Sequence, residues 1–305
     1  RYGTDKPDIR FGMTLSDVSP IAAESNFKVF REAVGKGALA LSTAIPGGAA
    51  LSRKDVDDLI AFCQKEGAGG MAWMKAIEKG LESNITKFFT EGQIKAFQAA
   101  VQPKTGDLVV FIVEPPGKAR SLMDVLRRHV ASKLSLIPKD RIEFCWVTDF
   151  PLFVKDEKGK LTFGHNPFSG VKEEDIPLID SDPLKARSRA YDLVGNGYEI
   201  SSGSIRAHNA DLLEKIFGLL GYSNEQMQSR FGFMLEALRA GAPPHGGFAP
   251  GVDRIVMLLA GESNIREVTA FPKTQKGTDL MSGTPAEVDE EQLRTLGLEV
   301  KAEKE

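Results

Sequence analysis

With 305 residues, 42% of them hydrophobic, the chain has enough apolar material for two globular domains with separate cores, which excludes a disordered chain. A formal net charge of −3 gives no general attraction for nucleic acid, so any RNA contact must come from a local basic face. Cys63 and Cys145 each sit in an apolar run and read as buried free thiols suited to a reducing cytoplasm, and no run approaches the roughly 20 apolar residues of a membrane span.

The opening RYGTDKPDIR lacks both methionine and a signal-peptide pattern, which predicts a chain cut from something longer, and Pro7 discourages helix in the polar segment 1–14. Ser52 with Asp55 predicts an N-cap before the periodic residues Val56, Leu59, Ile60, Phe62 and Cys63, and Gly67 predicts the stop. A short strand is expected at 70–75, a helix at 91–100, a buried strand at 108–113 and a helix from Ser121 to about Leu134. No catalytic constellation is visible in this half.

Beyond Arg141 the texture becomes richer in strands. A buried strand is predicted at 142–147, another strand at 161–164, and a hairpin with a glycine-rich turn in SRAYDLVGNGYEISSGSIR. Asn209 caps an expected helix with Leu212, Leu213, Ile216, Phe217 and Leu220 on its apolar face, closed by Gly221. A second helix is expected at 223–240, and GGFAPGVDRIVMLLAG then reads as strand, turn and buried helix.

Two features in this half carry charge that needs an explanation. If the hairpin turn is Gly195-Asn196, Val194 pairs with Gly197, Leu193 with Tyr198 and Asp192 with Glu199, so two carboxylates face each other. A Mg²⁺ ion carrying phosphates would turn that repulsion into attraction, although pairing alone favours two solvated strand carboxylates. Arg254 stands in the first turn of a helix, where a cation opposes the dipole by about 0.3–1 kcal/mol. That placement asks for an anionic partner, the alternative being a snorkelling surface arginine.

The histidines are scattered and give no zinc-ligand spacing. His129 reads as lying on a charged helix face, His208 as a neighbour of the Asn209 cap, and His245 as a loop residue. P-loop, nucleophile-elbow and dinucleotide fingerprints are all lacking, which removes support for a Rossmann-type nucleotide fold.

GGFAPGVDRIVMLL resembles motif 3 of the class II aminoacyl-tRNA synthetases. RYGTDKPDIR, WVTDFPLF at 146–153, HNPFS at 165–169, YDLVGNGYEISSGSIRAHN at 191–209 and AFPKT at 270–274 resemble, in order, the bacterial-type aspartyl-tRNA synthetases. The resemblance implies an α+β fold: part of the class II antiparallel sheet with flanking helices, interrupted by a GAD-like insert. Residues 1–14 would be a catalytic-domain segment, 15–132 the insert, and 133–305 the C-terminal part of the catalytic domain. The anticodon-binding domain, motif 1 and motif 2 would precede Arg1, so the 305-residue chain alone is expected to be inactive.

The implied reaction is activation of L-aspartate with ATP and transfer to tRNA. Its expected cofactors are ATP and Mg²⁺, and its expected partners are tRNA(Asp), tRNA(Asn) as a second candidate, and a second copy in a cytoplasmic homodimer. The resemblance assigns Arg254 and Glu199 to catalysis, and Asp192 with Glu199 to the metal. It assigns Glu199, Gly251, Val252, Asp253 and Arg254 to ATP, and His165 and Arg206 to aspartate. Pro250 replaces a larger apolar residue common in the family, and Asn166 a second histidine.

Because Glu199 and Arg206 are seven apart, a regular strand would turn them to opposite faces, which predicts a bulge within 201–204, at Gly203. The competing readings are an asparaginyl-tRNA synthetase or asparagine synthetase sharing the motif 3 grammar, and a non-catalytic tRNA-binding module. The insert and RYGTDKPD oppose the former; intact Asp192, Glu199, Arg206 and Arg254 oppose the latter.

Overall fold

The computed structural model describes residues 1–301. They divide into two compact units, one comprising Arg1–Ala249 and the other running from Pro250 onward.

In the first unit, the segment before Thr14 forms turns but no helix or strand, as its proline and polar residues predict. A five-stranded antiparallel sheet follows: β1 (Ser16–Asp17), β2 (Leu39–Ile45), β3 (Ala72–Ile77), β4 (Gly80–Glu82) and β5 (Leu108–Glu114), in the order β1-β2-β5-β3-β4. Its helices are α1 (Ser19–Ala23), α2 (Lys28–Gly35), α3 (Arg53–Lys65), α4 (Glu91–Val101) and α5 (Pro116–Lys133). The central strand β5 explains the layering. Leu108, Val110 and Ile112 join one core with Val56 and Leu59 of α3 and Met123 and Leu126 of α5. Val109 and Phe111 join another with Ala22, Phe30 and Phe97 of α1, α2 and α4. Alternation thus sends β5 into two cores, and a strand buried on both faces needs an unbroken hydrophobic run.

Helix α3 starts where the sequence predicts, with Ser52 and Asp55 exchanging the two hydrogen bonds of a capping box. Helix α5 starts earlier than Ser121, because proline is accommodated in a first turn whose N–H groups have no intrahelical partner. His129 on α5 is half-buried and stacked on Phe62, with ring centroids 3.8 Å apart, so packing rather than a charged face describes it.

The rest of this unit contains β6 (Phe144–Thr148), β7 (Phe153–Lys155), β8 (Leu161–Phe163), α6 (Leu178–Ser181), β9 (Ala190–Gly195), β10 (Tyr198–Ile205), α7 (Ala210–Leu219), α8 (Asn224–Arg239) and β11 (Gly246–Pro250), whose last residue opens the second unit. A second sheet has the order β11-β10-β9-β6. The predicted cap at Asn209 begins α7, a capping box at Ser223 begins α8, and Leu213 and Phe217 of one helix meet Met227 and Leu235 of the other. Antiparallel sheets with helices packed beside them bear out the α+β expectation.

Strand β6 corrects the sequence reading. It is not buried on both faces: Phe144 is 53% and Trp146 57% exposed, with Cys145 and Val147 half-buried between them. Trp146 instead makes edge contacts with Tyr191 and Phe248 on the outer face. Cys145 is therefore only half-buried, whereas Cys63 is fully buried and its thiol is pushed up to about 11 by burial.

The second unit contains α9 (Val252–Ala260), with Gly251 as N-cap and Gly261 as a left-handed C-cap, and α10 (Glu290–Thr295). Strand, turn and helix thus follow one another as the glycine-rich pattern predicts, but the helix is not the buried one expected: Met257 is its one buried residue and Leu259 is 73% exposed. No described helix is long and apolar enough to cross a membrane.

Candidate active site

The site grows from the β9–β10 hairpin. Its turn is Asn196-Gly197, with φ of +50° and +86°, and Gly195 pairs with Tyr198. The expected Gly195-Asn196 turn is therefore displaced by one residue. A tight hairpin turn with positive φ at both central positions is best served by Asn-Gly, and the chain uses that pair.

Register follows from the turn. Val194 faces Glu199 and Asp192 faces Ser202, so the two carboxylates are not directly opposite as expected. The ladder shifts between Glu199 and Ser201, one step ahead of the predicted window and not at Gly203. The extra residue, Ile200, packs toward Gly195: a Cβ on Gly195 would lie 3.1 Å from Ile200 and 2.8 Å from the Phe144 ring. By adding one residue to β10, the bulge places Glu199 and Ser202 on the same face as Val194 and Asp192. Backbone alternation continues that face through Ser204 to Arg206. Gly203 serves another purpose, since a Cβ there would overlap the Gly247 carbonyl oxygen and crowd Phe248. It lets β11 approach β10.

Asp192 is 2% exposed, and its Oδ1 has no hydrogen-bond partner. A buried, unpartnered carboxylate oxygen is costly and suits a cation. Among the described residues, no group of three or more His, Cys, Asp or Glu side chains forms an all-protein metal cage. Asp192 and Glu199 fit Mg²⁺ better, because that ion takes one or two carboxylates and completes its shell with phosphate and water.

Glu199 Oε2 lies 3.4 Å from Lys6 Nζ, a partner that sequence reasoning missed. Lys6 belongs to the N-terminal segment, which is held down elsewhere. Arg127 of α5, fully buried, donates to the carbonyls of Met13 and Gly12 at 2.6 Å each and to that of Asp8 at 3.3 Å. Its guanidinium lies 4.8 Å from the Tyr2 ring and 4.9 Å from the Phe11 ring. Asp8 in turn binds Arg10 through two oxygens. RYGTDKPD was the only signal in the sequence that pointed to this segment.

His165 and Ser202 meet on the carboxylate face, with Nε2 and Oγ 3.3 Å apart, and Phe150 flanks the imidazole. Asn166 shapes the HNPFS loop, its Oδ1 accepting from Phe168 N and Ser169 Oγ. Arg206 has its backbone woven between two elements. Its N–H donates to His245 O at 2.9 Å, it bridges Ser169, and Ile205 O accepts from Gly170 N at 2.7 Å. The Arg206 side chain is exposed. Gly251, Val252, Asp253 and Arg254 lie in the second unit, at the N-cap and first turn of α9, with Asp253 favourably placed for the helix dipole.

Comparison with known proteins adds the family context. Residues 1–275 match the model for tRNA synthetases class II (D, K and N). The chain is 48% identical to an aspartate–tRNA(Asp/Asn) ligase of Persephonella marina, over 98% of this chain and 51% of the relative. It is 45% identical to an aspartate–tRNA ligase of Staphylococcus carnosus, over 99% of this chain and 52% of the relative. The chain spans about half the length of these curated relatives. A solved aspartyl-tRNA synthetase from Entamoeba histolytica is 26% identical over 50% of this chain and 26% of that one, with a TM-score of 0.34.

Proposed function

Because the chain belongs to the class II tRNA synthetases of the D, K and N type, we propose that it supplies part of the active site of an aspartate–tRNA ligase. The observation that carries this reading is its 45–48% identity to two aspartate ligases across nearly its whole length. The hairpin face with two carboxylates, a histidine and the path to Arg206 supports it chemically.

In the proposed reaction the α-carboxylate of aspartate attacks the α-phosphorus of ATP, and pyrophosphate leaves. A hydroxyl of the terminal tRNA ribose then takes the acyl group and AMP leaves. The protein's contribution is positioning and charge neutralisation. Arg206 orients the substrate's side-chain carboxylate through a two-pronged guanidinium contact, and His165 contacts aspartate from the neighbouring loop. Asp192 and Glu199 hold magnesium, which supplies positive charge to the polyphosphate. Arg254 contacts ATP, and Gly251, Val252 and Asp253 form the backbone turn beside the nucleotide.

We further assign 1–14 and 133–305 to the catalytic domain and 15–132 to a GAD-like insert. The working enzyme is read as a cytoplasmic homodimer acting on tRNA(Asp), with tRNA(Asn) as a second substrate to be tested. With labelled aspartate, the full-length protein should charge a tRNA(Asp) transcript, whereas the 305-residue chain alone should not. Failure of the full-length protein to aspartylate any tRNA would reject the reading.

A further inference from the structure

We propose that Lys6 is a tethered counter-cation for Glu199, neutralising that carboxylate until a divalent metal displaces the ammonium. The inference rests on the assignment of Glu199 to the metal, and it adds a residue on which that assignment is silent.

The geometry points to a placeholder. Lys6 Nζ is 3.4 Å from Glu199 Oε2, and the two side chains are 46% and 25% exposed. A pair this exposed is weak, so a divalent ion can break it and the lysine stem can swing into solvent. The backbone beneath the lysine is fixed, however. Lys6 N donates to Thr4 Oγ1 at 3.1 Å, Asp8 is 6% exposed and bound to Arg10, and Arg127 gathers the carbonyls of Asp8, Gly12 and Met13. At the hairpin end, Gly197 closes against the same segment: a Cβ there would lie 3.5 Å from Asp8 Cβ and 3.9 Å from Lys6 O. The segment therefore docks on the turn that carries Glu199, and the ammonium stays tethered beside the carboxylate.

The chemistry gives this placement a purpose. Asp192, buried with an unpartnered oxygen, and Glu199 share one face of the hairpin, so without a cation they repel each other. A tethered single charge lowers that repulsion without the affinity of a divalent ion. It must also compete with the metal.

The test is Mn²⁺ binding to the full-length protein without nucleotide, followed by loss of the free-ion EPR signal, for the parent and for Lys6→Met, Lys6→Arg and Glu199→Gln. Removing the competing ammonium in Lys6→Met should tighten Mn²⁺ binding roughly two- to fivefold, the range expected for an exposed pair. The gain should shrink as salt rises. Lys6→Arg keeps a competing cation and should resemble the parent, while Glu199→Gln should weaken Mn²⁺ severalfold. Unchanged or weaker Mn²⁺ binding in Lys6→Met, with Glu199→Gln weakened as expected, overturns the counter-cation role alone. If Glu199→Gln binds Mn²⁺ like the parent, the metal assignment fails and the role of Lys6 falls with it.

Discussion

Replacing Arg206 with alanine in the full-length protein should lower kcat/KM for aspartate by about a hundredfold or more. An arginine fork presents two parallel N–H donors to two carboxylate oxygens, whereas asparagine offers one acceptor oxygen and two donors that clash. Truncating one member of a hydrogen-bonded charge pair that bound substrate shields from water typically costs about 2–5 kcal/mol, and a hundredfold corresponds to about 2.7 kcal/mol. The fold should tolerate the change, because the Arg206 side chain is exposed and its backbone is held independently by His245 and Ser169. Preference for aspartate over asparagine should shrink with the same substitution. Arg206→Lys should recover only part of the loss, since it restores charge without the fork. Steady-state kinetics with both amino acids provide the check, and an Arg206→Ala enzyme within a few-fold of the parent would remove Arg206 from substrate binding.

Glu199→Gln should reduce magnesium-dependent adenylate formation by about tenfold or more, equivalent to at least ~1.4 kcal/mol. The substitution keeps the size of the side chain and leaves the bulge beside Ile200 in place, so the hairpin register should survive. What it removes is the negative charge, and a neutral amide is a poor ligand for a hard divalent ion. A magnesium titration of single-turnover adenylate formation separates the alternatives. The proposed role predicts a higher magnesium requirement together with a slower rate; an unchanged magnesium dependence would return Glu199 to an ordinary strand carboxylate paired with Lys6.

What the sequence made legible was mostly local. Ser52 with Asp55, and Asn209, mark helix starts because capping is decided within three residues. β5 was legible for a related reason: burial on both faces leaves a continuous apolar run. α1 escaped because five residues, SPIAA, cannot display a helical period. β6 reads as a buried strand from its apolar run, but Phe144 and Trp146 occupy an outer face, where Trp146 packs edge-on against Tyr191 and Phe248.

The site itself was legible as residue types and only partly as geometry. A bulge was required by the odd spacing of Glu199 and Arg206, yet it sits where the missing side chain of Gly195 leaves room for Ile200 and the Phe144 ring, a fit that no spacing rule contains. The hairpin turn could have been found, since Asn196-Gly197 is the stronger turn signal; the one-residue error in the turn, together with the bulge, moved the partner of Asp192 from Glu199 to Ser202. Lys6 lay beyond local reasoning altogether. Its meeting with Glu199 is created by a buried arginine on α5 drawing the N-terminal segment into place.

The most direct measurement is amino-acid-dependent ATP–pyrophosphate exchange by the full-length protein, with aspartate, asparagine and lysine compared side by side because the matched family spans D, K and N synthetases. Aspartate should drive exchange while asparagine and lysine stay near background. Exchange driven equally well by asparagine or lysine, or none with aspartate, would contradict the assignment of this chain to an aspartate–tRNA ligase.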